Sequence, residues 1–129
     1  MGNRANFGFQ ETALAPVINL YAHWGGHEMM ANLASALDKA RPRWNDSGYA
    51  TRICISQLIG DRWDDELGYG IYVNTLGDNE HSVPLVNWAG RTVSLYPYGF
   101  WWWKDAPDPK FTMDFDAFIN KFHKSLTFA

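Results

Sequence analysis

The sequence predicts a single α+β domain, an antiparallel sheet of about four strands with two to three helices packed on one face. Three observations lead there. Apolar residues switch between strand and helix periodicity along the chain, in the order strand, helix, helix, strand, strand, strand, helix. No internal repeat or low-complexity segment divides it. A length of 129 residues, 47% apolar and 19% charged, suits one core that stands without disulfides or a structural metal.

Residues 1–15 are polar and lack a clear period apart from Phe7 and Phe9, so they read as a loose lead-in or a short edge strand, and 16–129 as the domain. Pro16 to Tyr21 alternates as a strand, with Val17, Asn19 and Tyr21 on one face and Ile18, Leu20 and Ala22 on the other. After Gly26 the period becomes helical: Met30, Leu33, Leu37 and Ala40 recur, widened by Met29 and Ala36, until Pro42 closes the helix near Arg41. Asp46-Ser47-Gly48 supplies turn and cap residues for a second helix over Tyr49 to Ile59, ended by Gly60. Arg52, Cys54 and Ser56 alternating with Ile53 and Ile55 also suit a strand, but Ala50, Cys54 and Leu58 favour the helix.

Asp61 to Leu67 is a charged connection, Gly68 to Asn74 a strand with Tyr69, Ile71 and Val73 on one face, and Gly77-Asp78-Asn79 a turn. Val83 to Arg91 and Thr92 to Tyr96 form a hairpin. With Gly90 left-handed at the end of a Trp88-Ala89-Gly90 loop, Asn87 pairs with Arg91, Leu85 with Val93 and Val83 with Leu95. Phe100 to Lys104 can extend a strand that Pro107 and Pro109 break. Asp114 caps a final helix over 114–126, with Phe115, Phe118, Ile119, Phe122 and Leu126 as its apolar stripe and Met113 and Phe118 at the staple positions.

Composition narrows function. A formal charge of −3 disfavours a surface that embraces duplex DNA. The single cysteine, Cys54, sits between Ile53 and Ile55 and reads as a buried thiol in a reducing compartment. No apolar run reaches the length of a membrane span and no basic-then-apolar leader is present, so the expected location is the cytoplasm. Aromatic residues make up 16% of the chain, which leaves rings for a core, a partner surface or a planar ligand.

The junction Val17 to Glu28 carries the main functional expectation. A strand running through Gly25-Gly26 into a helix presents unpartnered amides and the positive end of a dipole to an anion. His23 or His27 adds a switchable charge, and Trp24 a stacking face. The pattern lacks the third glycine of a dinucleotide fingerprint and the Gly-Lys-Ser/Thr ending of a P-loop. Tight turns need glycine regardless, so the same residues also read as plain architecture. A metal held by His23, His27 and Glu28 with Asp78, Glu80 or His81 is disfavoured, because the intervening glycines keep both histidines off one helical turn.

Asp78-Asn79-Glu80-His81 reads either as a solvated turn or as a loop presenting a base. Arg41, Arg43 and Arg52 flank Trp44 and Tyr49, suited to a phosphate or to salt links with nearby aspartates. In an extended Phe100-Trp101-Trp102-Trp103-Lys104, Trp101 and Trp103 face one way and Trp102 the other, so the stretch reads either as a contact for a partner or a second copy or as core packing against the C-terminal helix. No nucleophile elbow is present.

Leu20-Tyr21-Ala22-His23-Trp24-Gly25-Gly26, Arg43-Trp44-Asn45-Asp46 with Tyr49 and Arg52-Ile53, Gly68-Tyr69-Gly70-Ile71, and Asp78-Asn79-Glu80-His81 resemble a family of small, mostly uncharacterised phage-encoded proteins. The resemblance covers Val17 to Val93. It implies a viral accessory protein in the bacterial host cytoplasm, of a kind that blunts host immunity by trapping nucleotide second messengers or gripping an effector.

Three functions follow as expectations. The first is a non-enzymatic binder that sequesters a nucleotide-like or phosphorylated small molecule through His23, Trp24, Gly25, Gly26, Arg52, Tyr69, Asn79 and His81, with no cofactor or metal. The second is an inhibitor that grips a host defence protein through Trp101, Trp102, Trp103, Phe118 and Phe122, with self-association into a homo-oligomer. The third is a small hydrolase or phosphodiesterase using His23 and His81.

Overall fold

Ala5, Phe7 and Phe9 alternate with Asn6, Gly8 and Gln10, which is strand periodicity, and a computed structural model describing residues 2–123 makes them the interior of a sheet. Strand β1 (Ala5–Gln10) pairs antiparallel with β2 (Ile18–Ala22), which pairs antiparallel with β3 (Tyr69–Val73). On its other side β1 runs parallel to β4 (Val83–Asn87), followed by the antiparallel β5 (Thr92–Tyr96) and β6 (Phe111–Asp114). The sheet is therefore six-stranded and mixed, in the order β3-β2-β1-β4-β5-β6.

This corrects the expected four-stranded antiparallel sheet, while the class remains α+β. The lead-in reading of 1–15 fails for one physical reason: β1 is buried on both faces, and its polar residues are satisfied inside. Asn6 Nδ2 donates to Asp78 O at 2.9 Å, and Asn6 Oδ1 accepts from Asn19 Nδ2 at 2.7 Å and Gly77 N at 2.9 Å. A buried strand with hydrogen-bonded asparagine and glutamine shows no apolar run.

Helices α1 (Met29–Lys39), α2 (Ser47–Ile59) and α3 (Phe115–Phe122) lie on one face of the sheet, α1 packing against both others. Phe7, Phe9, Leu20, Val86 and Val93 meet Leu33, Leu37, Ile55, Phe115 and Phe118 in the core between them. Asp114 caps α3, its Oδ1 accepting from Ala117 N at 2.8 Å, and Asp46 does the same for α2 from Tyr49 N at 3.4 Å. Gly60, at φ 67, ends α2. The expected continuation of the last helix to 126 falls on residues beyond 123, outside the described ones.

The hairpin register differs from expectation by one residue. Val86 pairs with Val93 and Asn87 with Thr92, so the loop is Trp88 to Arg91, and Arg91 rather than Gly90 takes the left-handed position at φ 55. Trp88 decides this. Its ring stacks 6.3 Å from Phe9, and its Nε1 donates to Thr51 Oγ1 at 2.9 Å, which anchors the loop beneath α2.

Phe100 to Lys104 is not a strand. The segment runs extended and then turns through a 3₁₀ helix at Trp103–Asp105, covering the sheet face opposite the helices. A Cβ on Gly8 would stand 2.8 Å from the Trp103 ring, so glycine is what lets that indole lie on the sheet. Among the described residues no helix is long and apolar enough to cross a membrane.

Candidate functional site

The strand-to-helix junction is closed by the chain's own N-terminal segment. Gly26 N–H donates to Asn3 O at 2.8 Å, Asn3 N–H to His23 O at 2.7 Å, and His23 N–H to Gly68 O at 2.8 Å. Asn3 Oδ1 accepts from His81 Nε2 at 2.5 Å, and a Cβ on Gly26 would collide with both His81 Nε2 and Asn3 Oδ1. Helix α1 begins at Met29, beyond the glycines. The expected anion cup at Gly25-Gly26 is therefore not formed. Gly26 is small because two side chains pack on it, and its amide is already used.

The structure gathers His23, Trp24, Gly25, Gly26 and His81 here, with His27 6.2 Å from His81 ring to ring. Tyr21 Oη lies 2.7 Å from His23 Nδ1, and burial pushes the Tyr21 pKa up, so the phenol stays protonated at neutral pH. Trp24 stacks edge-on against His23 at 4.8 Å, and its outer face carries the Arg62 guanidinium at 4.6 Å. Arg62 also pairs with Asp65 at 2.9 Å, which holds it charged. Tyr69 lines a shallow recess with Arg62 and Trp63. Asn79 is buried and structural: its Nδ2 donates to Gly99 O at 3.3 Å and its Oδ1 accepts from His81 N at 3.2 Å. No group of three or more metal-ligating side chains occurs among the described residues.

Arg52 stands apart from that group, on a cleft between α2 and the sheet. The cleft, of about 440 Å³, is walled by Phe9, Ile18, Ile55, Ile71, Pro16 and Trp63 and edged by Gln10, Glu11, Ser47, Thr51 and Arg52. Small residues of α2 line its helix side. Ser47 and Thr51 are half-buried and Gly48 exposed, beside the buried face of Ala50, Cys54, Ile55 and Ile59, and Thr51 is held by the Trp88 indole. A Cβ on Gly48 would meet nothing nearer than Asp46 Oδ1 at 3.8 Å. Glu11 and Ser47 also border a second recess of about 230 Å³ containing Asn45, Trp44 and Arg91. The two hollows are neighbours, one apolar and one polar.

Of the residues the sequence points to as a ligand site, Arg52 lies on this cleft, and the rest of its lining is not among them. The available signal was the row of small residues at Ser47, Gly48 and Thr51 ahead of Ile55 on one helical face.

The expected partner surface is reduced. Trp101 and Trp103 turn inward and pack with Tyr96 at 5.8 and 5.4 Å, while Trp102 remains 59% exposed. Phe118 is fully buried and so does not belong to a docking face, and Phe122 packs partly buried against the same core. Comparison with protein-family models, curated proteins and solved structures finds no match.

Proposed function

We propose that the protein binds and holds a small molecule with a flat apolar body and an anionic group, the description a nucleotide-like or phosphorylated ligand fits. The observation that carries this is the cleft under α2: about 440 Å³, apolar on its walls, with Arg52 at its edge. Trp63, Phe9, Ile18 and Ile71 line the cleft and give a planar ring an apolar surface to lie on. Arg52, with the Ser47 and Thr51 hydroxyls, answers the charge. Glu11, on the same lining, opposes an anion and limits how much charge the ligand carries.

Holding rather than turnover is the better reading. The ionisable side chains lining the cleft are Glu11 and Arg52, a pair that orients a ligand but does not match a base to an acid for proton transfer. His23 and His81, the pair a hydrolase reading requires, point into hydrogen bonds with Tyr21 and Asn3. In a bacterial host cytoplasm, the setting that the motif resemblance implies, such a protein lowers the free level of a nucleotide messenger by mass action.

The test is calorimetry against mono-, cyclic di- and ADP-ribose-type nucleotides, with recovery of the ligand afterwards. The proposal expects heat from at least one, intact ligand on recovery, and loss of that heat in Gly48→Trp, which fills the cleft from an unobstructed position. Heat unchanged in Gly48→Trp, or no heat across the panel, overturns it.

A second reading is favoured by one surface feature. Tyr98, Phe100 and Trp102 are all exposed, with Tyr98 and Phe100 rings 5.7 Å apart, and such a ring cluster suits a protein partner. Trp102→Ala leaves nucleotide binding intact and removes partner capture if that reading holds.

A further inference from the structure

β3 closes one end of the sheet with an unguarded edge. In its ladder with β2, Asn74 N–H donates to Val17 O and His23 N–H to Gly68 O, each at 2.8 Å. Antiparallel alternation then gives the β2 bonds to Gly70 and Tyr72 and turns the N–H and C=O groups of Tyr69, Ile71 and Val73 outward. Edges of natural sheets are blunted by charge, proline or a bulge. β3 reads Tyr-Gly-Ile-Tyr-Val and has none of these, and Ile71 and Val73 are 53% and 56% exposed. The opposite edge is guarded. Pro109 and Lys110 precede β6, Asp114 ends it, and Lys121 Nζ stands 5.8 Å over the Phe111 ring.

We propose that β3 is the contact through which two copies of this chain associate, joined antiparallel about a two-fold axis at Ile71. In that register the outward-bonding residues face one another: Ile71 meets its counterpart, and Tyr69 meets Val73. Their side chains share the helix face with Ile18 and Leu20, so the apolar floor runs on from one copy to the next. On the other face Gly70 of one copy lies opposite Tyr72 of the second, beside the Tyr72 ring that leans over Gly70 within each copy.

Charge selects both the partner and the direction. β3 is uncharged, and the chain leading into it is acidic: Asp61, Asp64, Asp65 and Glu66, with Arg62 tied to Asp65 at 2.9 Å. At the far end Trp103 N–H donates to Asn74 O at 3.3 Å, which brings the charge-balanced pair Lys104 and Asp105 to that end in place of an acidic run. Antiparallel pairing sets the acidic segments of the two copies at opposite ends of the joined edge. Parallel pairing sets like ends together. Pairing along this edge needs no ligand in the cleft, although Ile71 lines both.

The full chain tests it by sedimentation and by cysteine crosslinking. The wild type sediments as a dimer, and Ile71→Lys sediments as a monomer with unchanged far-UV dichroism, its dissociation constant raised about a hundredfold. Ile71→Cys crosslinks to itself on mild oxidation, because directly paired Cα atoms about 5.5 Å apart suit a disulfide. Val73→Cys, which faces Tyr69 of the second copy, does not. Cys54 is buried, and burial holds its thiol up, so it does not compete. A wild type that stays monomeric to about 0.2 mM, a dimer that survives Ile71→Lys, or crosslinking by Val73→Cys in place of Ile71→Cys overturns the proposal.

Discussion

Gly26→Ala separates a closed junction from an open one. The new Cβ collides with His81 Nε2 and Asn3 Oδ1, both side-chain ends, so the ring and the amide must swing out and their mutual hydrogen bond is lost. One hydrogen bond is worth about 1 kcal/mol and local repacking about as much again, which gives about 2 kcal/mol of destabilisation. For a chain of this size that lowers the melting temperature by about 8 °C. Gly25→Ala is the internal control, since its Cβ meets only Ala22 Cβ at an ordinary 3.4 Å, and its effect stays within about 0.5 kcal/mol. Urea unfolding followed by tryptophan fluorescence measures both. Adding His81→Ala removes the closer of the two clashes and frees the Asn3 amide to swing away, so the double variant recovers about 1 kcal/mol relative to the sum of the singles. If Gly26→Ala is as mild as Gly25→Ala, the junction is not packed as described and its amides are accessible to a ligand after all.

Further outcomes follow from single contacts. Asp114→Ala removes the 2.8 Å cap of α3 and costs about 1 kcal/mol in urea unfolding, more than Asp46→Ala, whose cap is long at 3.4 Å. Asn6→Leu strands the Gly77 amide, the Asn19 side chain and the Asp78 carbonyl in the sheet interior, and lowers stability by about 3 kcal/mol or more. Burial raises the Cys54 pKa above its ordinary value of 9.0. The neutral thiol is thus favoured in the fold, its contribution to stability is whole below about pH 9, and stability falls by up to about 1.4 kcal/mol per pH unit above it. Cys54→Ala removes that slope. In the cleft, Arg52→Ala weakens anionic ligands by about tenfold and Glu11→Gln tightens them by a few-fold in calorimetry, opposite signs from opposite charges.

What was legible in the sequence was local. The Asp114 cap, the Asp46 cap, the alternating faces of β2 and the apolar period of α1 depend on residues within a turn or two, and those elements stand where their patterns place them. What was not legible depends on residues far apart in the chain. The polar residues of β1 conceal a central strand, because their hydrogen-bond partners lie at Asn19, Gly77 and Asp78. The Trp88 to Arg91 loop takes its length from an indole that must reach Thr51. The same distance effect governs the site. Gly25-Gly26 has the local form of an anion pocket, but Asn3 and His81 arrive from elsewhere and fill it, and the hollow that does form needs Phe9, Ile71 and Trp63 beside α2. A row of small residues on one helical turn was the trace it left in the sequence.

Amide shift mapping by NMR, with the nucleotide panel titrated into labelled protein, bears most directly on where the ligand sits. The account predicts that the perturbed resonances are Ser47, Gly48, Thr51, Arg52 and the Trp63 indole, with Gly25 and Gly26 unmoved. Perturbation centred on Gly25, Gly26 and His81, or a spectrum unchanged through the whole panel, contradicts it.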